Sequence, residues 1–105
     1  MSNINPKHLD PGIRSTVAKL RAWGFETTDS GDGVSKCAAG MVLPFPHVFM
    51  VVEPEVMIAE AHRLRECVEA EGVSLGGSGP GDALIEATYN PSDGVAVLAL
   101  LRVTL

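Results

Sequence analysis

The sequence predicts an α+β fold, two helices packed on one mainly antiparallel sheet. Three observations carry that reading. Two segments have apolar residues at helical spacing, and each is followed by a glycine. Several short segments are apolar on alternate residues or throughout, as strands of a buried sheet require. Two of those segments are joined by Asn90-Pro91-Ser92-Asp93-Gly94, a hairpin turn in which Pro presets φ and Gly takes the positive-φ place. At 105 residues the chain, 1–105, has the size of a single domain with one core. Its aromatic residues are Trp23, Phe25, Phe45, Phe49 and Tyr89, so that core has to be mostly aliphatic.

Residues 1–9 read as an irregular arm. Asp10-Pro11 is a helix start, with Asp as N-cap and Pro at the first helical position. The run 12–23 then places Ile13, Thr16, Val17, Leu20 and Trp23 on one face, and Gly24 is placed to end it. Phe25-Glu26-Thr27-Thr28 alternates and predicts a short strand. Residues 29–46 hold five glycines and prolines, which predicts a long connection, with a short strand at 41–43 as an optional interruption. The segment 47–53 predicts a strand with His47, Phe49, Val51 and Glu53 on one side and Val48, Met50 and Val52 on the other. Apolar residues on both sides suggest a central place in the sheet.

Pro54 opens the second helix, 54–71, with Met57, Ala61, Leu64 and Val68 as its stripe and Gly72 as its stop. A short strand or extended segment follows at 73–75, then a glycine-rich loop at 76–82. Strands are expected at 83–89 and 95–105, the last apolar on both faces. The expected order is therefore α-β-(β)-β-α-β-β-β. Two covers are needed for a strand apolar on both sides, and two helices can shield one sheet face. The sequence therefore predicts a homodimer or small closed oligomer, with Leu98 and Leu100 placed at its interface.

The chain carries a net charge of −5, with 46% hydrophobic and 20% charged residues. Its cations collect in the first quarter (Lys7, Arg14, Lys19, Arg21), whereas from Glu66 onward Arg102 is the lone cation. No stripe of Lys and Arg tracks a phosphate backbone, so nucleic acid is not an expected partner. The longest apolar run, 95–101, is far short of a membrane span. Cys37 and Cys67 form no C-x-x-C pair, and the polar start MSNINPKHLDPG does not read as a signal peptide. The expectation is a cytoplasmic protein with both thiols reduced.

The segment Thr27-Thr28-Asp29-Ser30-Gly31-Asp32-Gly33 is the densest collection of hydroxyls, carboxylates and glycines in the chain. Amides of a glycine-rich turn can cradle a ligand, and Ser30 and Ser35 add donors. Asp29 and Asp32 suit a ribose hydroxyl, an amine or a divalent cation better than a bare phosphate. The calcium-loop pattern and the Gly-Lys-Ser/Thr of a phosphate loop are both missing. An Asx-turn connection with capping carboxylates is the structural alternative. His47 follows Pro44-Phe45-Pro46 and is placed to reach that loop, where a histidine beside a carboxylate can act as base or metal ligand. His62 with Glu66 reads as a surface helix pair, and Cys67 as core. No nucleophile–base order and no H-E-x-x-H motif is present.

The stretch Leu9-Asp10-Pro11-Gly12-Ile13-Arg14, with Val17, Leu20 and Arg21 and then 24–33 (GFETTDSGDG), resembles a group of small uncharacterised proteins of bacteriophages and mobile elements, typical of actinobacterial hosts. Pro44-Phe45-Pro46-His47-Val48 and Tyr89-Asn90-Pro91-Ser92-Asp93-Gly94 look like the same group. The resemblance implies a viral or prophage origin and hence a place in the host cytoplasm. The group has no assigned activity, so no catalytic residue is carried over.

The functional expectation is a non-enzymatic binding module that sequesters a small molecule or blocks a host protein, with no cofactor. Its candidate ligand-binding residues are Thr28, Asp29, Ser30, Gly31, Asp32, Gly33, Ser35 and His47. The alternatives are a small metal-assisted hydrolase using Asp29, Asp32 and His47, and a structural or assembly subunit.

Overall fold

A computed structural model describes residues 11–31, 45–75 and 82–105. A 3₁₀ turn, Pro11–Ile13, leads into helix α1, Arg14–Ala22. Strands β1, Glu26–Gly31, and β2, His47–Val52, follow. A second 3₁₀ turn, Pro54–Val56, opens helix α2, Met57–Ala70, before strands β3, Leu84–Asn90, and β4, Val95–Leu101. The chain therefore has the predicted α+β fold. The expected strand at 41–43 and the Asp10 cap lie outside the described residues.

Both helices stop at glycines with positive φ, Gly24 at 92° and Gly72 at 87°, a backbone region that a Cβ disfavours. Pro54 at the first position of the second 3₁₀ turn supplies the preset φ of a helix entry. The β3–β4 turn is braced by Asn90, whose Oδ1 accepts from the Ser92 amide and hydroxyl, and by Asp93 Oδ1, which accepts from the Val95 amide.

The four strands form one sheet in the order β1-β2-β4-β3, every pair antiparallel. β2 and β3 each run antiparallel to β4 and are therefore parallel to one another, with α2 as their crossover. Val48, Met50, Leu98 and Leu100 project from one sheet face and pack with Ile13, Val17 and Leu20 of the α1 region and Leu64 and Val68 of α2. That layer is the core. His47, Phe49, Val51, Val97, Ala99 and Leu101 occupy the opposite face.

Two expectations need correction. Leu98 and Leu100 do not form a second, uncovered face; they point at the helices and are 0% and 1% exposed. Alternation along β4 separates its two faces correctly, but both are apolar, so periodicity does not say which one meets the helices. β1 is longer than expected and absorbs Asp29, Ser30 and Gly31, which had read as loop. An edge strand exposed to water on one side tolerates such residues. Of the two readings of 73–75, strand or extended segment, the second holds, because the segment forms no ladder. Ser74 accepts one backbone bond from Ala83, at 2.8 Å, while Val73 and Leu75 pack against the core as an extended segment.

β4 ends at Leu101, earlier than expected, because Arg102 adopts a φ of 77° and its amide turns to Pro46 O at 2.8 Å. The segment beyond it returns to α1. Thr16 Oγ1 accepts from the Leu105 amide at 2.6 Å, and Ser15 Oγ donates to the Leu105 carbonyl at 2.7 Å.

Candidate functional site

The residues proposed from the sequence fall at the end of the sheet where β1 stops and β2 starts. Thr28, Asp29, Ser30 and Gly31 lie in β1, and Gly31 is directly opposite His47 on β2. Antiparallel pairing thus brings His47 against the acidic, hydroxyl-rich segment, as its position after Pro46 suggested. Asp32, Gly33 and Ser35 lie outside the described residues, as does Cys37.

Within β1 the side chains of Thr27, Thr28 and Asp29 are already hydrogen-bonded. The strand has a bulge between Thr27 and Asp29. There Thr28 Oγ1 donates to Phe49 O at 3.3 Å, across to β2. Asp29 Oδ1 accepts from the Ser30 amide at 3.0 Å. Thr27 is buried and its Oγ1 accepts from Arg21 Nε at 2.9 Å. Asp29 thus bonds the amide next to it, whereas an Asx turn would bond the amide two residues on.

His47 is different. It is 2% exposed, on the sheet face away from the helices, with Leu101 opposite it on β4 and the Phe49 ring tilted beside it at 5.7 Å between centroids. Its Nδ1 lies 3.0 Å from Phe45 O. A carbonyl can only accept, so Nδ1 carries a proton, and in the neutral form of the ring Nε2 is then the lone-pair acceptor. Nε2 is buried and has no hydrogen-bond partner among the described residues. Buried polar atoms are almost always paired, and an orphan costs about 1–3 kcal/mol of desolvation.

These contacts bear on chemistry. The imidazole is oriented by a main-chain carbonyl, which fixes which ring nitrogen carries the proton. Among the described residues, no group of three or more His, Cys, Asp or Glu side chains is arranged to hold a metal ion.

A cleft away from His47 was not anticipated. It has a volume of about 250 Å³ and opens at the other end of β1, lined by Phe25, Glu26, Val52, Glu53, Glu60 and Arg63 among others. Arg63 dominates it. Its guanidinium lies 4.1 Å from the centre of the Phe25 ring, holds Glu60 Oε2 through Nε at 2.9 Å and Nη2 at 2.6 Å, and donates through Nη1 to Trp23 O. The charge is consumed by the protein itself, so Arg63 acts as a latch between α2 and the α1–β1 junction. Its i,i+3 spacing from Glu60 was visible in the sequence. Its reach to Trp23, 40 residues away in the chain, was not.

No helix among the described residues is long and apolar enough to cross a membrane. No family model, no curated protein and no solved structure matches this chain.

Proposed function

We propose that the chain is a non-enzymatic binding module of phage type, acting in the host cytoplasm, whose site lies around His47 and the adjoining Thr28–Gly31 segment. The orphaned Nε2 of His47 carries the reading. A buried lone pair without a partner is costly to keep, and a ligand offering an O–H or N–H donor satisfies it. The apolar surroundings, Phe49 and Leu101, suit a small and mostly apolar ligand body, and a side chain of a host protein would meet the same chemistry. The resemblance to phage proteins supports sequestration of a host signal or blockade of a host factor as the use.

Native mass spectrometry of protein purified from cells tests this together with the variant His47→Phe. The wild type should carry a small-molecule adduct and the variant none. The variant should remain folded, because the loss of the unpaired Nε2 offsets the loss of the Nδ1 bond to Phe45 O. An adduct retained at wild-type level in His47→Phe, or a wild type that carries none and an imidazole ¹⁵N spectrum that does not change in host lysate, would contradict the reading.

A further inference from the structure

Among the described residues β3 is an edge strand, and nothing in its own sequence discourages another strand. It pairs with β4 residue for residue from Leu84 to Asn90 without a bulge, and it contains no proline and one charge, Glu86. Residues 86–90 are exposed on both faces. An edge of this kind is a ready template for strand addition.

The helix beside it is unfinished on the same side. Lys19 with Glu71, and Arg63 with Trp23 O, fix the flank of α2 that faces α1. In helical projection Ile58, His62, Arg65 and Glu69 lie on the opposite flank, beyond the buried Leu64 and Val68, and so on the side of β3. All four are exposed, and Ile58 is 62% exposed although it is a large apolar residue. Tyr89 on β3 is 47% exposed and projects from the helix side of the sheet, in register with Ala96.

We propose that β3 is a homodimer interface, at which a second copy adds antiparallel across a twofold axis to make one continuous sheet of eight strands. The strand is complementary to itself. A twofold pairing has to match side chains on the same face, so the axis can pass at Glu86, Ala87 or Thr88. Glu86 would oppose its own charge. Thr88 would leave Ile85 beyond the partner strand. Ala87, the middle residue, sets Ile85 against Tyr89 of the second copy on the helix side and Glu86 against Thr88 on the other.

The helix spacing agrees. Strands lie about 4.8 Å apart, so an axis along the outer side of β3 stands about 2.4 Å from β3 and about 7 Å from β4. α2 packs over both strands. It therefore lies about 5 Å from the axis and about 10 Å from its symmetry mate, close to the distance of about 8–10 Å at which helices pack. The two Ile58 flanks then face one another across the axis.

The test uses the centre of the pairing, where residue 87 faces itself. Wild type should sediment at low micromolar concentration with twice the 11.0 kDa chain mass. Ala87→Lys and Ala87→Glu, each alone, should remain folded and become monomeric, with the dissociation constant raised roughly 100-fold by like charges in contact. An equimolar mixture of the two should recover a dimer containing one copy of each. Ile58→Glu, on the exposed helix flank, should weaken the dimer about tenfold and keeps the test open if a strand variant does not fold. A monomeric wild type, folded variants that stay dimeric, or folded variants that do not recombine would overturn the proposal.

Discussion

Among the described residues β1 and β3 are the two outer strands of the sheet, and they differ in nearly every respect. β1 is bulged at Thr28, carries Glu26 and Asp29, and spends an Asp29 oxygen on the Ser30 amide, a backbone donor that an incoming strand would need. Its first residues are also tied down by Arg21 and, through Phe25, by the Arg63 latch. β3 has a regular register, one charge and exposed apolar neighbours at Tyr89 and Ile58. Bulges and inward-turned polar groups are the usual means of protecting an edge, and here they guard one edge only. Under the two proposals above the edges divide the labour: β1 leads to the polar end of the sheet with His47, and β3 is left for association.

Substitutions can separate what the two edges share from what belongs to each. The largest effect is expected at Leu98, in the layer beneath both edges. Leu98→Glu places an unpaired carboxylate at a fully buried position and should abolish the cooperative thermal transition followed by circular dichroism. A folded monomer instead would return Leu98 to the interface first expected for it. Leu64→Ala should cost ~2–5 kcal/mol in urea unfolding, since the side chain is fully buried between α2 and the sheet.

Arg63→Ala sharpens the contrast. It removes the stacking on Phe25 and the bond to Trp23 O, and should cost about 1–2 kcal/mol. Amide exchange should accelerate at the α1–β1 junction and leave β3 unchanged. Lys19→Ala removes an exposed ion pair with Glu71 and should change stability by less than about 1 kcal/mol, an effect that added salt erases.

The elements that periodicity and turn chemistry define were legible: both helices, the glycines that stop them, the central β2 and the β3–β4 hairpin. What local sequence could not supply was context across the sheet. Asp29-Ser30-Gly31 has the chemistry of a turn and becomes strand because β2 offers a ladder to pair with. Val97, Ala99 and Leu101 are as apolar as Leu98 and Leu100, so the face that meets the helices was undetermined until α1 and α2 were placed. His47 was singled out as a neighbour of the acidic segment, and it is one. The state of its ring, with Nδ1 held by Phe45 O and Nε2 buried without a partner among the described residues, depends on burial that its neighbours in sequence do not show. The free edge at β3 was likewise invisible, because strand order is a property of the whole sheet.

Hydrogen–deuterium exchange at rising protein concentration tests the inequality of the two edges most directly. Amides of residues 84–90 should gain protection as concentration rises through the dimer dissociation constant, while those of residues 26–31 keep the same exchange rate throughout. Protection that grows in β1 and not in β3, or in neither edge while the protein still self-associates, would contradict the account.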